Sequence, residues 1–442
     1  MDRENNLTDR NFADYFYVSS QIALEEGASK DPNADFDSYI SSPEKVTNKL
    51  ELPEDFIPRD MDYHELDEEM TVIALCGGNA VTFVYLFKPY SKIVSIPQKY
   101  HIEFPGRDAN EELLVIKSGL LYLYHERDRD NSGSKFEEIF ATAGKSGVIH
   151  LYKIRPEEKR CINFSHFQAH LNRINDLCFA PSHSRPELRN ILLSCSDDGS
   201  IMAWDLGNSS AVLCLKPNKA PLDNILSIDW ADSGDEIIAA HLDAVRIWPI
   251  ERDTLKFLGT RTTDFLKGKK LQRKEIYHPK VIVKNFHDYY IDVVKYFSNK
   301  AIMTKSVNGQ IFIWTYDQKD SDDPQPIILA KYETLSSLAP QNLLAYGMYK
   351  PTINIYDNLV VVPGESKVRI FHPRNRDDKI SYKLIHLSQQ KTHVLKAMIL
   401  DNELDFLFIL TKEGHLWHHR LEELELEQGE EGLGNKVTTM KI

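Results

Sequence analysis

Cysteine is scarce in this chain. The five residues Cys76, Cys161, Cys178, Cys195 and Cys214 are an odd number among 442 and show no Cys-x-x-Cys spacing. A disulfide framework is therefore excluded as the basis of the fold. Most sit in apolar runs such as Leu177-Cys178-Phe179 and read as reduced core residues of a cytosolic or nuclear protein. Long apolar runs are lacking too: no stretch approaches 18 residues, and the opening Met1-Asp2-Arg3-Glu4-Asn5-Asn6 is polar, so neither a membrane span nor a signal peptide is expected. There is no excess of basic charge. With 53 Lys and Arg against 66 Asp and Glu the net charge is -13, and the molecule as a whole is not drawn to nucleic acid. Motifs for a serine hydrolase elbow, a phosphate loop, a zinc peptidase helix and a dinucleotide fingerprint are missing as well. His415, His418 and His419 come nearest to a metal cluster, but on a strand the first and last share one face and His418 takes the other. No catalytic residue, metal or cofactor is expected.

Hydrophobic residues at 42% and charged residues at 27% suffice for a sizeable buried core. The length allows about three domains or one large all-β unit. Internal repetition decides between them. Seven segments share one grammar, a short apolar strand, a tight turn, then an alternating strand ending in an aromatic residue. The clearest is Ile191-Leu192-Leu193-Ser194-Cys195-Ser196, the turn Asp197-Asp198-Gly199-Ser200, and Ile201-Met202-Ala203-Trp204-Asp205. This is a β-hairpin signal. The closing aromatics fall at 85, 152, 204, 248, 314, 371 and 417, spaced 44 to 67 residues apart. The shortest spacings match a four-stranded propeller blade, and the longer ones leave room for insertions. A lone blade cannot cover both faces of its sheet, and seven blades close a ring.

The organisation expected is a flexible N-terminus (1–11), a seven-bladed propeller (12–421) and an acidic C-terminal tail (422–442). Within the propeller, 12–24 reads as a strand that could close the last blade. Residues 25–60, rich in Asp, Glu, Ser and Pro, read as an insertion or flexible segment, and 251–286 as an insertion before blade five. Helical signal is weak: Leu421–Gln428 could form a short acidic helix, but Gly429, Gly432 and Gly434 follow at once and it reads as a frayed tail. One local basic run, Lys267-Gly268-Lys269-Lys270-Leu271-Gln272-Arg273-Lys274, is a solvated loop, a nuclear-import signal or a phosphate contact.

The third unit resembles a WD40 repeat. It has His170 before its first strand, Ser194 in the second, Asp198 in the turn and Trp204-Asp205 at the close. Such a set forms a buried polar chain in which Asp accepts from His, His pairs with Ser, and Ser meets the indole N–H. The fifth unit keeps His287, Asn308 and Trp314. The stretch His287–Trp314, the Ala141–Gly147 hairpin, His278-Pro279 in the long insertion and the ending Gly414–Leu421 resemble the embryonic ectoderm development / extra sex combs (EED/ESC) family, the WD40 subunit of Polycomb repressive complex 2. The resemblance spans about residues 12–421.

That resemblance implies an all-β, seven-bladed WD40 propeller with an N-terminal extension and loop insertions, working in the nucleus as a non-catalytic scaffold. The implied partners are a SET-domain histone methyltransferase subunit, other Polycomb subunits and the histone H3 tail; separately, the local basic charge of Lys267–Lys274 offers a nucleosome contact. It also implies an aromatic cage for trimethyl-lysine. Tyr349 matches the family's tyrosine, and Met348 or Tyr346 stands where a tryptophan is expected. The wall expected before blade one falls on Phe56 or Tyr63, and that expected on blade two falls at Leu114-Val115, with Tyr122 and Tyr124 several residues on. The competing reading is a generic WD40 adaptor such as a ubiquitin-ligase substrate receptor.

Overall fold

The computed structural model describes residues 44–420 apart from 46–47, 53–55, 67–69, 88–91, 102–110, 124–135, 156–159, 184, 218–223, 243, 267–271, 298–300, 317–323, 334–349, 355–358, 365–366, 372–381, 387–392 and 401–405, and adds 425–426 and 438–439. Each of the seven repeated hairpins forms the middle of an antiparallel sheet, and the sheets are the blades of one propeller. Their inner strands are Asp60–Glu65, Leu113–Tyr122, Ile174–Phe179, Ile225–Trp230, Ile291–Tyr296, Thr352–Asn354 and Val394–Leu400. The hairpin turns need a residue at positive φ, which glycine adopts without a Cβ clash. Gly78, Gly147, Gly199, Gly309 and Gly414 supply it at φ 55° to 84°.

The hydrophobic core is divided among the seams between blades. Seven apolar clusters occupy seven seams, for example Phe83, Phe140 and Tyr152 between blades one and two, and Ile302, Phe312 and Trp314 between four and five. The cluster joining Met61 and Leu75 to Phe408 and Leu416 lies between blades seven and one. That seam makes the array a closed ring. All five cysteines are free thiols, four buried and Cys178 half-buried.

Closure is made by a different strand from the one expected. Asn48–Glu51 pairs antiparallel with His415–Arg420 as the outer strand of blade seven, inside the segment that composition marked as an insertion. A four-residue strand templated by an open sheet edge needs backbone groups and little composition of its own, which hides it in a polar segment. Residues 12–24 lie outside the described residues.

The 251–286 segment also holds more than a loop. It begins with the helix Arg252–Leu266, continues as Lys274–Ile276, a fifth strand parallel to Ser210–Leu215 on blade three, and then supplies Val281–Lys284, the outer strand of blade four. The helix is anchored by the fully buried Leu258, in the core with Leu188, Trp248 and Ile250. Its Thr254, Gly259, Thr260, Thr262 and Thr263 are weak helix formers, so packing has overridden local preference. In the tail, Glu425–Leu426 pairs with Thr438–Thr439 where a frayed acidic tail was expected.

Candidate functional site

The buried polar chain of blade three is complete. His170 Nδ1 meets Asp198 Oδ2 at 2.8 Å, His170 Nε2 meets Ser194 Oγ at 2.7 Å, and the Trp204 indole N–H donates to the same Oγ at 2.9 Å. These contacts fit one arrangement: Nδ1–H donates to the carboxylate, and Nε2 accepts from the Ser194 hydroxyl. Burial pushes the Asp198 carboxyl up, but the bonds from His170 and Ser200 outweigh it and hold it below the usual carboxylate range. Blade five repeats the device with threonine. His287 Nε2 meets Thr304 Oγ1 at 2.8 Å, Trp314 Nε1 donates to that oxygen at 3.1 Å, and Asn308 replaces the turn aspartate. Without the acid, His287 is pushed down to about 3 by burial, with Lys305 and Lys331 adding to the shift.

The inner strands, whose side chains alternate between a seam and the axis, surround a central cavity of about 540 Å³. Its lining includes Asp62, Asp176 and Asp229 with Lys117, Lys295, Lys350 and Lys396, and Tyr63, Phe179, Trp230 and Tyr296 among its aromatics. These charges join blade to blade. Asp60 accepts from Ile116 N at 3.1 Å and Asp62 from Ser118 N at 2.7 Å; Asp176 accepts from Ile228 N at 3.2 Å and Asp229 from Tyr296 N at 2.8 Å. In each case a carboxylate on one inner strand binds a backbone N–H of the next. Lys295 lies 3.5 Å from Asp176 and 3.6 Å from Asp229, and donates to Ile228 O at 2.8 Å. At the closing seam Lys396 donates to Asp60 Oδ1 at 2.7 Å and to Met61 O at 2.5 Å. Burial pushes Asp60 up, and the Lys396, Lys117 and Lys350 ammonium groups bring it below its ordinary value.

Chemically this collar holds charge in place. Burial pushes the Cys178 thiol and the Tyr296 hydroxyl up, so neither ionises near neutrality. Asp292, pushed up to about 6 by burial, is held by Lys305 at 2.7 Å. Among the described residues no group of three His, Cys, Asp or Glu is placed to hold a metal ion. His418 stacks on Phe408 at 6.0 Å, and His415 meets Trp417 edge-on at 6.2 Å.

Of the expected cage positions, Tyr346, Met348, Tyr349 and Tyr124 lie outside the described residues. Phe56 is 4% exposed and packs in the seam between blades seven and one, so its ring is occupied by neighbours from its own chain. Tyr63 is half-buried and lines the cavity. Val115 is fully buried in the seam between blades two and three, while Tyr122 receives Arg189 over its ring at 4.7 Å. In the basic run, Arg273 pairs with Glu275 at 2.8 Å and Lys274 donates to Thr254 at 2.5 Å, while Lys267, Lys269 and Lys270 lie outside the described residues. Sequence reading missed the collar. Its signal is a charged residue inside an apolar inner strand, as with Asp176 in Ile174–Phe179 and Lys396 in Val394–Leu400.

Comparison with known proteins adds what geometry alone does not carry. The WD domain, G-beta repeat family matches residues 160–205, which contain the complete polar chain. Polycomb protein esc of Drosophila melanogaster is 25% identical over 206 residues, covering 44% of this chain and 46% of its own length. Its Drosophila virilis counterpart is 26% identical over the same length, and Polycomb protein mes-6 of Caenorhabditis elegans 25% over 185 residues. By sequence the chain is similar to the extra sex combs proteins over this stretch. It spans about half the length of the curated extra sex combs relatives it matches. Among solved structures, a chain of the Chaetomium thermophilum Polycomb repressive complex 2 superposes with a TM-score of 0.59 at 11% identity, covering 85% of this chain and 97% of that one. A chain of the mitotic checkpoint complex superposes at 0.54. At such identities superposition establishes the propeller fold alone.

Proposed function

We propose that this protein is the non-catalytic scaffold and regulatory subunit of a Polycomb repressive complex 2-type histone H3 lysine methyltransferase, acting in the nucleus to maintain transcriptional repression. The observation that carries the reading is its sequence relation to the Polycomb proteins esc and mes-6. The rigid, closed ring suits the role, because its two blunt surfaces can hold partners without rearranging. The SET-domain subunit would lay an amphipathic helix across one of them through spaced apolar anchors. Other Polycomb subunits and the histone H3 tail are the further partners, and Lys267–Lys274 a local nucleosome contact. Co-purification from nuclear extract tests the assignment. Recovery of a SET-domain methyltransferase is expected, and recovery of a cullin adaptor without one would replace the reading with that of a ubiquitin-ligase receptor.

The regulatory part is trimethyl-lysine reading through Tyr349, with Tyr346 or Met348 beside it. A quaternary ammonium is held by aromatic faces. Tyr349→Ala is expected to weaken binding of a trimethyl-lysine histone H3 peptide by about 0.5–2 kcal/mol. Calorimetry measures it. Equal affinity in the two proteins, or no binding by the parent, removes the reader role and leaves the scaffold role standing.

A further inference from the structure

The collar around the axis holds more cations than it pairs. Five of the inner strands shift register near their start, and two positions past the shift lie Lys117, Cys178, Asp229, Lys295 and Met398, on blades two, three, four, five and seven. These side chains form one layer of the central cavity, which Lys350 of blade six also lines.

The carboxylates of the collar are all answered. Asp176 accepts from Ser227 Oγ at 2.8 Å besides Ile228 N and lies beside Lys295, Asp229 has Tyr296 N and Lys295, Asp62 has Ser118 N, and Asp60 has Ile116 N and Lys396. Asp232 lines the cavity from an exposed position. Lys295 and Lys396 thus serve the collar, whereas Lys117 and Lys350 do not. Lys117 makes no hydrogen bond or ion pair among the described residues, and Lys350 makes a single bond of 3.4 Å to Asn175 O. Both are half-buried. Burial pushes the Lys117 ammonium down, but Asp60, Asp176 and Asp62 outweigh it and raise it above its ordinary value, so it is fully charged. The four lysines match Asp60, Asp62, Asp176 and Asp229 in number, yet each of those carboxylates also accepts a backbone N–H. Hydrogen-bond donors are therefore in excess, and the ligand they suit is an acceptor.

Lys117 and Lys350 both act electrostatically on Asp60 and Asp176, which places them along the same part of the channel. The cavity volume of about 540 Å³ falls within the range of small-molecule sites, roughly 300–1,000 Å³, and one acidic side chain of a partner would fill only a fraction of it. Phe179, Trp230 and Tyr296 are the last residues of their inner strands, so the aromatic part of the lining gathers towards one end. Carboxylates and phosphates take strong, charge-assisted hydrogen bonds from ammonium groups. We propose that the central cavity binds a small organic anion, its carboxylate or phosphate held by Lys117 and Lys350 and its apolar body lying against Phe179, Trp230 and Tyr296. Such a ligand is opposite in charge to trimethyl-lysine, and the inference is independent of the function proposed above.

Calorimetry on the full-length chain with naphthoate, naphthyl phosphate and the neutral naphthamide tests it. At least one of the two anions is expected to bind, and at least about tenfold more tightly than naphthamide, as a charge-assisted hydrogen bond implies. Whichever binds identifies the acidic group. Lys117→Met and Lys350→Met should each weaken that binding by roughly tenfold. Lys145→Met, on an exposed turn, should leave it unchanged. Thermal melts of the two cavity variants should match the parent, since neither lysine holds an ion pair, and this separates a lost site from a lost fold. Absence of binding by both anions to the parent overturns the proposal. Equal affinity of the parent for naphthamide does so too, as does affinity that survives the double variant Lys117→Met with Lys350→Met.

Discussion

Trp204 and Trp248 occupy equivalent places in blades three and four and differ in the residue that could meet the indole N–H. Each lies opposite an apolar residue of the adjoining strand, Leu192 and Ile237 respectively, and the residue two further along is Ser194 in one blade and Ala239 in the other. The hydroxyl takes the Trp204 indole N–H, whereas Trp248 Nε1 is buried with no hydrogen-bond partner. Trp204→Phe should therefore cost about 0.5–1.5 kcal/mol more than packing loss alone, since it removes the indole donor to Ser194 Oγ, which keeps its bond to His170. Trp248→Phe should cost less, because it removes an unmet donor. Paired thermal melts check the order. His287 gives a second prediction at this scale. Its proton is lost in the fold at a pH of about 3, against about 6.5 when unfolded. Between those values the unfolded chain binds the extra proton, so stability falls as the pH drops from 7 towards 5, by up to about 2 kcal/mol at pH 5. His150, pushed down to about 4 by burial and by His166, acts in the same direction, while Asp292, pushed up to about 6, opposes both. His287→Phe should flatten the dependence of Tm on pH over that window.

At the scale of an element, the strand Asn48–Glu51 illustrates what four residues can do when their partner is an exposed edge. Its backbone completes blade seven, so the two ends of the described propeller meet in one sheet. N–H groups of neighbouring strand residues point in opposite directions, so replacing Lys49 and Leu50 together by proline must delete at least one donor facing His415–Arg420. The expected outcome is a lower Tm, by several degrees or more, and early hydrogen exchange in blade seven. Unchanged exchange there would mean that the apolar seam alone closes the ring. The helix Arg252–Leu266 teaches a related lesson. Leu258 holds it against blades three and four although its threonines and glycine argue against helix, which is why sequence pattern left the segment as an insertion.

For the whole molecule, the decisive feature is the charged collar around the axis. Lys396 of blade seven and Asp60 of blade one form an ion pair 6% and 2% exposed, and Asp60 also takes the backbone of blade two. Lys396→Met removes the cation and leaves the carboxylate buried, which costs about 3–5 kcal/mol for a broken buried pair. Adding Asp60→Asn should recover part of that loss, since no uncompensated charge remains. Denaturant melts of both variants test whether the collar, as well as the seams, fixes the ring.

The repeat, the number of blades and the blade-three polar chain were legible from the amino-acid order, because hairpin periodicity, turn glycines and the His-Ser-Asp-Trp set are properties of short stretches. Which strand closes the ring, where the insertion docks and which charges meet around the axis were decided only by the tertiary structure. Lys396 and Asp60 are 336 residues apart in the chain yet 2.7 Å apart in space. Local sequence encodes each partner's type, but a partnership at that separation exists only once seven sheets have packed into a ring.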